Sequence, residues 1–198
     1  MSKSAITRQR IIETAATLFW SDSYHSVSVS EIAAGANVNK ATLYQYFSSK
    51  QDLAVSVAKQ QRAWALDEIF DQSFRDETGS FERLERIYRI VAKNHKSIKR
   101  RTGQSRGCPF VNSAMELAVS IPEVRHEIET TLKQFAEYYL KIIEPIARPD
   151  STRTEHHSIA KALVGNMNGA MVASKIEQRP QAILDALPAA VSLLKTVT

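Results

Sequence analysis

The apolar residues of this sequence recur every three or four positions along almost its whole length. The spacing is clearest from Phe81 to Ile98 and from Val124 to Ile146, where the apolar side chains line one face of a helix. Only six glycines and six prolines interrupt the pattern, about half the share expected from average usage of roughly 7% and 5%. An architecture built from many tight turns is therefore excluded, and the sequence predicts an all-α fold.

Turn residues divide this pattern into separate helices. Asp76–Ser80 and Thr102–Gly107 indicate loops, and Pro188 lies inside the last apolar pattern, where it should kink or divide a helix. We expect helices over about 4–21, 28–36, 40–47, 50–74, 81–98, 109–119, 123–146, 153–177 and 180–195. The helices near residues 28 and 40 stand apart, because both are short and only a brief connection joins them.

Charge, cysteine content and hydropathy narrow the class of protein. A net charge of +5 and a pI of about 9.3 permit nucleic-acid binding without establishing it. The single cysteine cannot form an intrachain disulfide or a structural zinc site, and we expect no metal or cofactor. No segment approaches the roughly 18 consecutive apolar residues that cross a bilayer, and the N-terminal residues lack a signal-peptide core. We therefore expect a cytoplasmic protein with no membrane partner.

The two short helices carry recognisable start and turn signals. Ser28 and Glu31 have the spacing of a capping box at the start of the first helix. Asn37 can adopt a left-handed backbone conformation in the connection at modest cost, and Asn39 can cap the second helix through its side-chain oxygen. The segment therefore predicts two helices joined by a tight turn.

The second short helix has an apolar inner face and a polar outer one. Leu43 and Phe47 lie four residues apart and should face inward. The other faces are shared by Lys40, Ala41, Thr42, Tyr44, Gln45 and Tyr46. In a DNA major groove a lysine can reach guanine, methyl groups can touch a thymine methyl, and tyrosine hydroxyls can bond phosphate. Spacing alone leaves a second interpretation open, in which the two short helices merely cap a helical bundle.

A longer series of residues carries a resemblance to a known family. Five stretches occur in order: Ile11–Phe19, Tyr24, Ser30–Ala33, Val38–Phe47 and Ser49–Leu53. This series, from about residue 6 to 53, resembles the N-terminal domain of TetR/AcrR-family transcriptional repressors. The resemblance implies a three-helix helix-turn-helix DNA-binding domain over residues 1–49 and a helical effector-binding and dimerisation domain over 50–198. It implies a repressor released from an inverted-repeat operator by a small-molecule effector.

The resemblance also implies which residues contact DNA. The predicted DNA-binding set is Ser28, Ser30, Lys40, Ala41, Thr42, Tyr44, Tyr46 and Lys50. Base contacts are usual at the start of the second and third helices, and phosphate contacts at the two tyrosines and the last lysine of this set. The sequence departs from the family pattern at three positions: Ser23 and Asn37 replace the usual glycines, and Asn39 replaces a serine. Ser23 falls in the bend after the first helix, outside the proposed reading face.

Signals for an effector site are weaker. A ligand pocket is mostly apolar with a few polar anchors. The residues that interrupt apolar faces or suggest a pocket are Trp64, His95, Cys108, Asn112, Met115, Tyr139, Asn166 and Met167. Each has an alternative interpretation as an ordinary core residue, because histidine and methionine on an apolar stripe are often packed without any ligand.

Cys108 and the basic region before it have several interpretations. Cys108 opens a helix near Arg106, where the helix dipole favours thiolate, so it is either a sensor of electrophiles, as in some similar regulators, or a buried structural thiol. From Arg86 to Met115 the sequence has eight basic residues and no acidic one. This run is a solvated face, an additional contact to phosphates, or an attraction for an anionic ligand.

The last two predicted helices suggest a homodimer. Helix 153–177 carries two apolar stripes, and Gly165, Gly169 and Ala173 keep part of its surface small. Two apolar faces need two partners, so this helix and 180–195 should form a four-helix dimer seam. Two recognition helices would then read half-sites about 34–36 Å apart. The competing functions are a helical protein-interaction adaptor and a thiol enzyme using Cys108; no HExxH or glycine-rich phosphate loop is present, so we do not expect an enzyme.

Overall fold

The structure is a computed structural model that describes residues 2–198. Within these residues it contains helices, turns and loops and no β-strand. The α-helices are α1 (Lys3–Asp22), α2 (Val29–Gly35), α3 (Lys40–Tyr46), α4 (Lys50–Ala65), α5 (Ser80–Thr102), α6 (Pro109–Leu117), α7 (Pro122–Ile143), α8 (Arg153–Ile176), α9 (Ala182–Asp185) and α10 (Leu187–Lys195). The all-α prediction is confirmed.

The helix limits follow the turn signals closely. The long pattern after Lys50 is one α-helix continued by a π-helical segment, Leu66–Asp71, and α7 ends in a short 3-10 segment, Glu144–Ile146. Pro188 divides the final apolar pattern into α9 and α10, as predicted, because proline cannot donate the backbone hydrogen bond that a continuous helix requires.

The chain forms two compact units that are not continuous in sequence. The first unit contains the residues up to Ala63 together with Pro109–Glu129, and the second contains Trp64–Cys108 with Thr130–Thr198. The first unit therefore includes α6 and the start of α7 as well as α1, α2 and α3. This division differs from the boundary at residue 49/50 that the resemblance implies.

One apolar cluster of the first unit consists of side chains from its first four helices and from the segments between them. Its buried members are Ile11, Ile12, Ala15, Val27, Ile32, Ala33, Ala36, Leu43, Phe47, Leu53 and Val57. Gly35 lies where α2 approaches α1 closely: a Cβ added there would come within 2.8 Å of the Thr14 methyl group. The inward positions of α2 and α3 are thereby fixed against α1.

In the second unit α8 packs against α9 and α10, and α5 packs against the same two helices. The buried residues of α8 include members of both of its predicted apolar stripes, among them Leu163, Met167 and Met171. Both stripes are therefore covered by the chain's own helices, and neither requires a second copy of the protein. The exposed face of α8 is instead the one that carries Gly165 and Gly169.

Among residues 2–198, no helix combines the length and the apolar character that crossing a membrane would require. The same residues contain no group of three or more histidine, cysteine or acidic side chains arranged to hold a metal ion.

Candidate nucleic-acid interface

The inner face of α3 packs into the core, and its outer face is exposed. The Asn39 side-chain oxygen accepts a hydrogen bond of 2.7 Å from the Thr42 amide, which caps the start of α3 as predicted. Leu43 and Phe47 are 0% and 1% exposed. Because both inward side chains are held in the core, α3 has a fixed rotation about its own axis and presents one defined outer surface.

The predicted reading residues lie on this outer surface to different degrees. Lys40, Ala41 and Tyr44 are exposed, whereas Thr42 and Tyr46 are half-buried. The Lys40 ammonium lies 6.0 Å from the centre of the Tyr44 ring. The surface therefore combines a cation, a phenol hydroxyl and small methyl groups at the start of a capped helix, which is the chemistry that base edges and phosphates require.

The start of α2 is held by the predicted capping box. The Ser28 hydroxyl accepts from the Glu31 amide at 3.1 Å, and Glu31 accepts from the Ser28 amide at 2.7 Å. The hydrogen bonds to Ser28 lower the pKa of Glu31. Ser28 thus has a local structural role, while Ser30, two residues later in the first turn of α2, is exposed.

The turn between α2 and α3 uses the conformation that the sequence suggests. Asn37 has φ 50°, in the left-handed region, and its amide donates to the Ala34 carbonyl at 3.0 Å. Asparagine tolerates this region better than most residues, so it replaces the glycine usual in the family without losing the turn.

Lys50 has protein partners in this structure. Its ammonium donates to the Tyr24 carbonyl oxygen and lies 4.2 Å from the centre of the Tyr24 ring. Burial lowers the pKa of Lys50 from its ordinary value. These contacts give Lys50 a role in fixing the loop after α1, in addition to the phosphate contact predicted for it.

Glu116 is a functional candidate that the sequence reasoning missed. One of its carboxylate oxygens accepts from the Tyr24 amide at 3.0 Å and the other from the His25 amide at 2.8 Å. The only sequence signal was indirect: Glu116 is the first acidic residue after Glu85 and ends the long basic stretch. No local rule joins it to a loop more than ninety positions earlier in the chain.

Four of the predicted effector residues lie in the second unit, three of them buried and Asn166 half-buried. The Tyr88 hydroxyl donates to the Asn166 side-chain oxygen at 2.6 Å, and Tyr139 is fully buried beside them, with its pKa raised by burial and by Tyr88. His95 is buried on the same face of α5 as Tyr88, and burial lowers its pKa to about 4. Met167 is buried on α8. Tyr88 lies within the apolar pattern from Phe81 to Ile98, which predicts only a position on the buried face of the helix.

The other predicted effector residues are scattered. Trp64 is 50% exposed, and Met115, in the first unit, is 85% exposed. Asn112 lines a cavity of about 20 Å³ between α1, α4, α6 and α7 of the first unit. The Cys108 side chain is only 3% exposed, and this burial favours a packing role for the thiol over reaction with an electrophile.

The basic stretch is partly neutralised. Arg86 pairs with Asp76 at 2.8 Å and Arg89 with Glu85 at 2.8 Å. The exposed cations on the later part of α5 are Lys93, Lys96, Arg100 and Arg101. Four positive side chains thus remain at the surface of the second unit.

Comparison with known proteins places this geometry in a family. Residues 11–57 match the family described as bacterial regulatory proteins, tetR family, and residues 83–190 match that described as tetracyclin repressor-like, C-terminal domain. The transcriptional regulator AcuR of Cereibacter sphaeroides is 24% identical over 179 residues, covering 89% of this chain and 80% of that protein. The HTH-type transcriptional repressor DhaR of a Mycobacterium species is 24% identical over 181 residues, covering 86% and 83%.

Solved structures share the fold. A TetR-family transcriptional regulator from Streptomyces coelicolor superposes with a TM-score of 0.82 at 23% identity, covering 98% of this chain and 96% of that one. The regulatory protein TetR from Rhodobacter sphaeroides gives a TM-score of 0.81 at 21% identity, covering 98% and 100%. The capped third helix of the present protein and the two family matches lead to one conclusion: the chain belongs to the TetR family of DNA-binding transcriptional regulators.

Proposed function

We propose that this regulator is a repressor that binds an inverted-repeat operator as a homodimer and leaves it when a small-molecule effector binds. Residues 1–49 bind DNA in this proposal, and residues 50–198 bind the effector and form the dimer. The observation that carries it is α3, whose inner side chains are buried while Lys40 and Tyr44 remain exposed beside its capped start. Repression and effector binding are typical of the family.

The DNA-reading face is tested by affinity for a selected operator. DNA fragments retained by the purified protein are sequenced, and the recovered site is used in titrations at fixed salt. We expect Lys40→Ala and Tyr44→Ala each to weaken binding about 5- to 150-fold, equivalent to about 1–3 kcal/mol. Lys141→Ala, which removes an exposed lysine of α7, is the matched control and should bind as the parent does. Variants of α3 that bind as tightly as the control would exclude this reading face.

The homodimer is proposed to use the exposed face of α8 together with α10. A Cβ added at Gly165 or Gly169 would meet nothing within 4 Å in the single chain, and Val172 and Ile176 extend the same exposed face. A helix face of glycine and aliphatic residues allows close approach of a second helix. We expect Val172→Glu to convert a dimer to a monomer in sedimentation experiments, and Val119→Glu, on an exposed residue of the first unit, to leave the dimer intact.

The effector site is proposed in the interior of the second unit, around Tyr88, Asn166 and Tyr139. A phenol and an amide among buried apolar side chains form the mixture that small-molecule sites use. The relatives AcuR and DhaR are named only as regulators, and another relative, from Bacillus subtilis, is named a fatty acid metabolism regulator protein. Screening metabolites by the loss of operator binding, with Asn166→Leu as the insensitive variant, identifies the effector.

The basic face of α5 is proposed as an additional source of attraction to DNA phosphates. Each phosphate contact steepens the slope of log K against log[salt] by about 0.9. Replacing Lys93 and Lys96 with glutamate should therefore flatten the slope on long DNA. An unchanged slope favours a solvated face.

A further inference from the structure

The loop between α1 and α2 is held by a carboxylate from a distant helix. Glu116 of α6 accepts hydrogen bonds from two consecutive amides, those of Tyr24 and His25, at 3.0 and 2.8 Å. Hydrogen bonds to an ionised acceptor are stronger than those between neutral groups. We call this pair of hydrogen bonds the Glu116 clasp. All three of its residues belong to the first unit.

The backbone immediately before the clasp is in an unfavourable conformation. Ser23, the residue that ends α1, has φ 85° and ψ 155°. This region of backbone space is essentially restricted to glycine, and other residues remain there only when their surroundings hold them. The family pattern has glycine at this position. Here a serine occupies it, and the two amides that follow are the ones that Glu116 binds.

Other side chains also fix this loop. Within it, the Ser26 amide donates to the Ser23 hydroxyl at 3.4 Å and the Ser26 hydroxyl donates to the Asp22 carbonyl, and a cation contacts it from α4. The Lys50 ammonium, at the start of α4, donates to the Tyr24 carbonyl. Tyr24 therefore has its amide bound by a carboxylate of α6 and its carbonyl bound by an ammonium of α4. Four residues after Tyr24 the chain reaches Ser28, the cap of α2, so the position of this loop sets where α2 begins.

The helix that supplies the carboxylate packs through two buried side chains, Phe110 and Leu117. α6 is nine residues long and lies beside the cavity of about 20 Å³ that Glu116 itself helps to line. In the sequence α6 follows directly on Cys108, the last residue of the preceding segment of the second unit. A displacement of α6 would lengthen both hydrogen bonds of the clasp at once, because both acceptors are on one carboxylate.

We propose that Glu116 is a positioning residue for DNA binding: through the clasp, α6 holds Ser23 in its glycine-like conformation and thereby sets the start of α2. The clasp replaces the glycine that the family uses at this position, and it makes the DNA-bound arrangement depend on the position of α6. The inference rests on the proposed function, since it takes operator binding as the property that α6 controls.

The test uses four full-length proteins besides the parent: Glu116→Ala, Ser23→Gly, the double variant and Glu123→Ala. Glu123 is an exposed carboxylate of α7 in the same unit and serves as the matched control. Two measurements are made on each protein: amide hydrogen exchange at Tyr24 and His25, and affinity for the selected operator. Circular dichroism melting checks that each variant is folded, and Glu116→Gln, which keeps one acceptor oxygen, replaces Glu116→Ala if the latter is not.

We expect Glu116→Ala to speed exchange at the two amides and to weaken operator binding about tenfold, within the 5- to 150-fold range of typical couplings. Adding Ser23→Gly should restore most of that affinity, because glycine holds the loop conformation without the clasp. The same change in the parent should alter affinity much less. Glu123→Ala should match the parent in both measurements.

Three outcomes overturn the inference. The first is operator binding by Glu116→Ala equal to that of the parent. The second is exchange at Tyr24 and His25 that is unchanged in Glu116→Ala. The third is an equal loss of affinity with and without Ser23→Gly, since a general loss of stability would produce additive effects. A parent protein that binds no DNA would instead refute the proposed function, and the exchange measurements would still decide whether the clasp exists.

Discussion

The core beneath α3 and the interior around α5 and α8 differ in the number of polar side-chain atoms that they bury. The cluster beneath α3, from Ile11 to Val57, is apolar, and the buried carboxylate of the first unit, Glu127, lies outside it and pairs with Arg62 at 2.6 Å. In the second unit the buried side chains include those of Tyr88, Tyr139 and His95. The hydroxyls of Ser105 and Ser174 are also buried and form a hydrogen bond of 2.7 Å. One core is a rigid support, and the other contains hydrogen-bonding groups.

This difference matches the two tasks of a regulator. A helix that reads DNA needs its polar groups outside and an inert support inside, so that its rotation is fixed. A site that recognises a small molecule needs polar atoms inside, and each such atom destabilises the folded state unless it is paired. The following predictions test whether the two interiors respond to mutation and pH as this comparison requires.

The largest effect is expected from Phe47→Ala in the apolar core. The ring is 1% exposed and the Arg8 guanidinium lies 5.0 Å from its centre. Loss of a buried phenylalanine side chain lowers the free energy of unfolding by about 3–5 kcal/mol. Urea denaturation measures the loss, with the exposed Gln45→Ala of the same helix as control. If Phe47→Ala lowers the free energy of unfolding no more than Gln45→Ala does, the buried and exposed faces of α3 do not differ in their contribution to stability.

The second prediction concerns the pH dependence that His95 gives to the second interior. Burial lowers the pKa of His95 from 6.5 to about 4 in the folded protein. Above pH 6.5 the residue is neutral in both states, and as the pH falls from 6.5 towards 4 the unfolded chain binds a proton that the folded one does not. The free energy of unfolding should therefore fall by up to about 3 kcal/mol over this range.

Denaturation curves at several pH values check the effect of His95. In His95→Leu the contribution of this residue to the slope between pH 6.5 and 4 should disappear, whatever the change in absolute stability. His157→Gln, on the exposed side of α8, should retain the slope of the parent. A slope that survives in His95→Leu would assign the acid sensitivity to other groups.

A smaller effect is expected from Tyr88→Phe. The substitution removes the hydroxyl that donates to Asn166 at 2.6 Å and leaves the amide oxygen without this donor. An unsatisfied buried acceptor costs about 1–3 kcal/mol, and because Asn166 is half-buried the loss should lie towards the lower end of this range. Thermal and urea unfolding should both register the loss, and Tyr88→Phe combined with Asn166→Leu should recover part of it. If the double variant loses more free energy of unfolding than the two single variants lose in total, the hydrogen bond between Tyr88 and Asn166 does not account for the effect.

The smallest expected effect sharpens the comparison at the cap of α3. Asn39→Ala removes the 2.7 Å hydrogen bond to the Thr42 amide and should lower the free energy of unfolding by about 1 kcal/mol. Asn39→Asp preserves a capping oxygen and should keep the stability of the parent, while its negative charge weakens affinity for DNA phosphates. Measuring both properties separates the structural role of the cap from its electrostatics. Equal affinity of Asn39→Asp and the parent would show that the cap lies away from the phosphates.

Local rules predicted the parts of the molecule that local forces form. The capping oxygens of Ser28 and Asn39 act within three residues, and the left-handed turn at Asn37 requires only the conformational tolerance of one side chain. The inward positions of Leu43 and Phe47 follow from helical spacing. The division of the last helix at Pro188 was also predictable, because proline lacks the backbone N–H that a continuous helix uses.

The dimer seam over 153–177 and 180–195 and the effector pocket stay predictions, because helical spacing does not identify the partner of a buried face. The apolar stripes of α8 gave no indication of whether their partner was a second protomer or the same chain, and α9 and α10 cover them. Spacing placed Met115 among pocket candidates, yet its side chain is largely exposed. Periodicity identifies the face of a helix that is buried, but it contains no information about what buries it.

By itself the sequence determined the helices, their caps and the surface that α3 presents, because hydrogen bonds and side-chain spacing within one helical turn fix these features. Only the tertiary structure decided that α6 lies in the same compact unit as α1, α2 and α3 and that its Glu116 binds the loop after Ser23. That contact joins residues 92 positions apart. Its existence depends on the packing of whole helices, which brings a carboxylate to two amides that no local pattern connects.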